Sequence, residues 1–134
     1  MRLFAMPLLV LALLSLGGCK PASTPVDAYK TFEKDVRKGD YKGAYAALSQ
    51  STRDMLTART QALKDASGGS VKPEPYELLF TNSPLPSAVT EVTLVKEEGD
   101  VATVRVLSSG QAREVRLVRE ALGWKIDLSD SLKP

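Results

Sequence analysis

The one thiol in the chain is Cys19, which directly follows Leu16, Gly17 and Gly18 at the end of an apolar run that opens with Met1 and Arg2. A thiolate is the most nucleophilic group an uncatalysed side chain offers, and small residues before it let an extended backbone lie in a processing enzyme's groove. The chemistry such a placement suits is alkylation at sulfur and cleavage between Gly18 and Cys19. A lone cysteine in an exported chain has no disulfide partner, and modification accounts for it. The other candidate chemistry is sparse. With no histidine in 134 residues, Ser-His-Asp and Cys-His arrangements are excluded, and so are most zinc and transition-metal sites. No catalytic residue, metal ligand or cofactor motif is assigned.

From Leu3 to Leu16 the chain is almost wholly apolar, interrupted by Pro7 and Ser15, and Arg2 is its only charge. A positive start, a short hydrophobic run and small residues at a cut site form a secretory signal. The run is shorter than the roughly 20 residues that span a bilayer. Leu16, Gly17, Gly18 and Cys19 resemble the bacterial lipobox. That resemblance implies a lipoprotein: diacylglycerol on the Cys19 sulfur, cleavage before it, and usually a third acyl chain (palmitate, for example) on the new amino terminus. Each buried CH₂ contributes about 0.8 kcal/mol, so two or more chains anchor the protein stably in a membrane. Lys20 stands where an inner-membrane lipoprotein of this type often carries Asp. The expected address is therefore the cell envelope, lipid-anchored on the outer membrane and facing the periplasm.

The expected organisation is a signal peptide over 1–18, a lipidated tether over 19–24 and one domain over 25–134. That domain length buries a core without disulfides or metals. The whole chain has 18 basic against 16 acidic residues, a net charge of +2, and Arg2 belongs to the discarded part. Such a balance is no nucleic-acid footprint, so none is expected as a partner.

Thr24, Pro25 and Asp27 form a helix start, and Tyr29, Phe32 and Val36 recur at helical spacing until Gly39. Asp40 caps a second, short helix with Tyr41, Ala44, Tyr45 and Leu48 on one face. Ser51 starts a third, with Met55, Leu56, Ala62, Leu63 and Ala66 as its apolar stripe, stopped by Gly68 and Gly69. Tyr76 to Phe80 reads as a short strand. Strands follow over about 88–96, 101–108, 112–119 and 124–128, joined by tight turns at Gly99, Gly110 and Gly123, hence an antiparallel meander. In the last strand Trp124, Ile126 and Leu128 alternate with outward Lys125 and Asp127. Helices followed by strands make an α+β fold: three N-terminal helices packed on a curved antiparallel sheet of four to five strands.

Gly39, Asp40 and Tyr41 before the second helix, and the closing Gly123, Trp124, Lys125 and Ile126, resemble the nuclear transport factor two-like superfamily, the cystatin-like α+β cone. In particular, they are similar to segments that recur in a branch of small bacterial lipoproteins of that superfamily. The resemblance covers about residues 25–129 and implies a bent sheet wrapped on a long helix, with an interior that forms a pocket. In superfamily enzymes such as ketosteroid isomerases and dehydratases, polar residues in that interior do the chemistry.

Candidate pocket residues are Arg59, Tyr29, Tyr45 and Trp124. Arg59 falls within the apolar stripe of the third helix, where a guanidinium either snorkels to water, pairs with an acid, or lines a cavity for an anion. The tyrosines at helical spacing read first as core residues with a polar tip. On the strands, Arg113 and Arg119 share parity with Val115 and Leu117, while Arg116 points the other way. These arginines are a solvated surface or a contact for anionic lipid or an envelope protein. The acids are accounted for as caps, turn residues or solvated strand positions. The expectation is a membrane-anchored, non-catalytic binding or interaction module, with a small molecule or an envelope protein as partner. An isomerase- or hydratase-like enzyme of the same fold is the alternative.

Overall fold

A computed structural model describes residues 24–81 and 87–134. Gly18, Cys19 and the expected signal peptide lie outside the described residues. The first helix, α1 (Pro25–Lys38), begins where the Thr24 hydroxyl accepts a hydrogen bond from the Asp27 amide at 3.1 Å. It ends at Gly39, whose φ of 76° is the left-handed conformation that closes helices. Asp40 then caps α2 (Tyr41–Ala46), accepting from the Gly43 amide at 3.0 Å.

The chain next runs beside the last strand. The Ile126 amide donates to the Ala47 carbonyl at 2.9 Å, and the Ser49 amide to the Ile126 carbonyl at 2.8 Å. Ser49 is thereby fixed in place, and its hydroxyl caps α3 (Gln50–Ala66) by accepting from the Thr52 amide at 3.1 Å. The helix thus starts at Gln50, one residue before the expected start at Ser51, because this strand-like pairing makes Ser49 the cap.

The stripe that α3 buries is Thr52, Leu56 and Thr60, spaced four apart, while Ala62, Leu63 and Ala66 stay exposed. Of the expected apolar stripe, Leu56 is buried and Met55 half-buried. Thr52 is tolerated inside because its hydroxyl accepts from the Leu128 amide at 2.9 Å, and Thr60 donates to the Thr57 carbonyl at 2.7 Å.

The segment expected as a strand over Tyr76 to Phe80 is helical instead. It forms one turn, α4 (Glu77–Phe80), with the Phe80 amide donating to the Tyr76 carbonyl at 3.1 Å. A segment of five residues carries no period that separates strand from helix. Stacking of Phe80 on Tyr41 favours the turn, with centroids 5.3 Å apart and planes 7° from parallel. The described residues therefore hold four helices rather than three.

β1 (Val89–Glu98), β2 (Val101–Ser108), β3 (Gln111–Glu120) and β4 (Gly123–Asp127) form one antiparallel sheet in chain order, the expected meander. β1 carries two register shifts, between Val89 and Glu91 and between Leu94 and Lys96. Such bulges bend and twist a strand. Helix α1 lies across the sheet and touches β1, β2 and β4. Leu48, Val104, Val106, Leu117 and Ile126 are wholly buried. Each such side chain contributes about 1.5–3 kcal/mol of hydrophobic stabilisation.

Candidate functional site

Between α1 and the sheet is a cavity of about 460 Å³, reached by Tyr29, Phe32, Tyr41 and Phe80 on one side and by β3 and β4 on the other. Its aromatic wall is continuous. Tyr29 and Phe32 have ring centroids 5.9 Å apart, Phe32 and Phe80 6.2 Å, and Phe80 completes the run by its stack with Tyr41. One helical turn of spacing puts Tyr29 and Phe32 on the same face of α1, and the α4 turn swings Phe80 over them.

Three arginines border the cavity. The Arg37 side chain meets Glu33 at 2.7 Å along α1. Arg116 meets Asp127 at 3.0 Å across the β3–β4 pair. Arg113 differs: its Nη2 donates to the Tyr29 hydroxyl at 3.0 Å, and no carboxylate lies within ion-pair distance of it among the described residues. Opposite Val106 in the ladder and two residues from Val115, Arg113 stands on the sheet face that both bury, while keeping solvent access itself.

Asp127 is the second polar feature. It was expected to face outward with Lys125, and its strand parity is indeed that of Arg116, yet it is only 9% exposed. The N-terminus of α3 covers it, because the Ser49–Ile126 pairing brings that helix start over the end of β4. The Ser49 hydroxyl donates to Asp127 Oδ1 at 2.9 Å, the Thr52 hydroxyl at 3.3 Å and the Ser129 amide at 3.3 Å. Burial pushes this carboxyl up, but the hydrogen bonds from Ser129 and Ser49, with the charge of Arg116, outweigh it and hold the group below the usual carboxylate range. A carboxylate so tied is held ionised.

Of the four candidate pocket residues, Tyr29 lines the cavity and is 3% exposed. Tyr45 is half-buried elsewhere and donates to the Arg53 carbonyl at 3.4 Å. Trp124 is buried beneath Arg119, whose guanidinium carbon sits 4.7 Å from the ring centroid. Arg59 is exposed and donates to the Leu132 carbonyl, so it reaches the C-terminal segment and not the cavity. Phe32, Phe80 and Arg113 were missed as lining residues. For Arg113 the signal was present, since its parity with Val115 and Leu117 placed a charge on the apolar face.

No group of three or more His, Cys, Asp or Glu residues is arranged to hold a metal ion among the described residues. An arginine against a phenol, beside apolar and aromatic walls, can bind a negatively charged oxygen while the rest of a ligand packs on the rings. An arginine stays protonated at any ordinary pH, so it is no proton shuttle. Compared with known proteins, the chain matches no family model, no curated protein and no solved structure.

Proposed function

We propose that this chain is a lipoprotein of the bacterial cell envelope, anchored through acylated Cys19 to the outer membrane and facing the periplasm. Its domain is a non-catalytic binding module of the nuclear transport factor two-like cone type. The anchor reading is supported by the lipobox-like Leu16, Gly17, Gly18 and Cys19 after a short apolar run. With only residues 20–24 between Cys19 and α1, even a tether extended at about 3.3–3.6 Å per residue keeps the domain close to the lipid surface. The cone reading is supported by the order of elements and by the bulged β1.

The observation that carries the binding role is the cavity of about 460 Å³ between α1 and the sheet, with its aromatic wall and Arg113. Its volume falls within the roughly 300–1,000 Å³ of small-molecule sites, which are likewise mostly apolar with a few polar groups that orient the ligand. Three of its four carboxylates, Glu33, Asp127 and Asp130, are engaged by Arg37, Arg116 and Lys133.

The test is mass spectrometry of protein extracted from envelopes of its own host. The expected intact mass lacks residues 1–18 and carries acyl chains on Cys19, and the native spectrum shows a stoichiometric small molecule. A bare thiol with the leader attached overturns the anchor. A spectrum with a co-purifying protein and no small molecule moves the role from ligand binding to protein contact.

A further inference from the structure

We infer that the cavity selects an amphipathic monoanion, a carboxylate-type head on an apolar body, with the head at Arg113 and the body along the aromatic wall. This rests on the reading of the cavity as a ligand site and names the class of ligand.

The argument starts from two arginines of the same strand and the same parity. Arg119 on β3 has its needs met: it lies over Trp124 at 4.7 Å and meets Glu97 at 3.3 Å. Arg113, six residues earlier, has a phenol oxygen as its recorded partner. A neutral hydroxyl satisfies one of the five N–H donors of a guanidinium and none of its charge. The neighbouring carboxylates do not make up the difference. Glu33 is engaged by Arg37, and Asp127 by Arg116. Glu114, next along β3, borders the cavity too, but it stands opposite Arg105 in the ladder and forms no ion pair with Arg113, and Asp130 is engaged by Lys133. Arg113 is therefore the cavity's uncommitted cation, and its fork suits the two oxygens of a carboxylate.

The second part is the direction in which the wall runs. The aromatic series begins at Tyr29, the residue that Arg113 touches, and continues through Phe32 and Phe80 to Tyr41. A charged site with rings on every side would favour a compact anion. Here the bordering arginine that has no ion-pair partner among the described residues is at the Tyr29 end and the rings continue beyond it, which matches a molecule with one charged end.

The experiment uses the full acylated chain in phosphatidylcholine nanodiscs, with empty nanodiscs as reference, titrated calorimetrically with phenylbutyrate, phenylbutanol and phenylbutylamine. These share one body and differ in the head. Phenylbutyrate is expected to bind at least about tenfold tighter than phenylbutanol, as befits a charge-assisted hydrogen bond. Phenylbutylamine is expected to be the weakest. Arg113→Gln should remove the preference for the acid over the alcohol, while Arg113→Lys, which keeps the charge without the fork, restores part of it. Equal binding of acid and alcohol, or a preference for the amine, overturns the anion inference and leaves the cavity a ligand site. Phenylbutyrate binding indifferent to Arg113→Gln overturns it as well. Binding of none of the three removes the inference and counts against the cavity itself. Should Arg113→Gln fail to fold, the head-group comparison on the unsubstituted chain still decides.

Discussion

Arg116 on β3 and Asp127 on β4 face each other in the ladder and meet at 3.0 Å, with the carboxylate buried and the guanidinium half in water. The pair joins more than two strands. Asp127 also receives the hydroxyls of Ser49 and Thr52, so one carboxylate ties the sheet to the start of α3.

Removing that carboxylate leaves the Ser129 amide and one of the two buried hydroxyls short of an acceptor, since Ser49 and Thr52 lie 2.8 Å apart and can satisfy only one of them between themselves. Asp127→Ala is expected to cost about 1–3 kcal/mol by chemical denaturation, the usual penalty for an unsatisfied buried group. Arg116→Ala should cost less, about 0–1 kcal/mol, because its side chain is 46% exposed and water screens the attraction. Equal losses in the two variants would show that the ion pair, rather than the hydrogen-bonded carboxylate, holds this junction.

The same carboxyl sets a pH dependence. Its folded-state pKa lies below the ordinary value, so its contribution is complete above the unfolded pKa of about 3.9 and is lost as pH falls through the lower folded value. Unfolding free energy should therefore decline on acidification below about pH 5, and Asp127→Asn should flatten that decline. An unchanged acid limb in Asp127→Asn assigns the decline to other carboxylates.

Much of this arrangement was written in local pattern. Gly99, Gly110 and Gly123 mark the turns, and the alternation of Trp124 and Ile126 with Lys125 gave the buried face of β4, as the structure bears out. What escaped is what distant segments decide together. Ser49 caps α3 because Ile126, far along the chain, pairs with it. Asp127 is covered although its parity points outward, and no local period reports which helix will lie over a strand end. Phe80 became a helical turn through its stack on Tyr41. Of the cavity, Tyr29 was legible by its helical spacing and Arg113 by its parity, whereas Arg59, Tyr45 and Trp124 found partners elsewhere in the fold that spacing alone does not reveal.

Core position should outweigh residue type. Leu117 is wholly buried, whereas Leu122, in the turn before β4, is 75% exposed. Leu117→Ala is expected to cost about 2–5 kcal/mol, from lost burial plus the cavity left behind. Leu122→Ala should change stability by less than about 0.5 kcal/mol. Trp124 is the sole tryptophan and is buried in the same core, so its fluorescence follows both unfolding curves. A large loss at Leu122 would mean that this turn is covered in solution.

At Gly43 two effects oppose each other. A Cβ there would sit 2.4 Å from Asp40 Oδ2, so the carboxylate must leave the Gly43 amide that it caps. Losing that cap costs about 1 kcal/mol, and replacing glycine by alanine in a helix returns about the same. Gly43→Ala alone should thus be close to neutral. In an Asp40→Ala background there is no cap left to displace, and the same substitution should stabilise by about 0.5–1 kcal/mol. A double-mutant cycle by urea denaturation measures the coupling, and its absence would show that Asp40 reaches the amide by another rotamer.

The β2–β3 hairpin offers a gain. Ser108 and Gln111 are paired, so Ser109 and Gly110 form a two-residue loop, with φ of 50° and 74°. Positive φ at both positions is the type I′ turn, which fits the twist of a hairpin and for which Asn-Gly is the preferred pair. Ser109 is the one non-glycine residue with positive φ among the described residues, and serine gains little there to offset the crowding of its Cβ. Asparagine tolerates that region better. Ser109→Asn is expected to raise stability by a few tenths to about 1 kcal/mol, in line with other turn optimisations, and to leave binding unchanged because the turn does not border the cavity. A fall in melting temperature in Ser109→Asn would mean that the loop adopts a different turn in solution, and the register of β2 against β3 would then need to be redrawn.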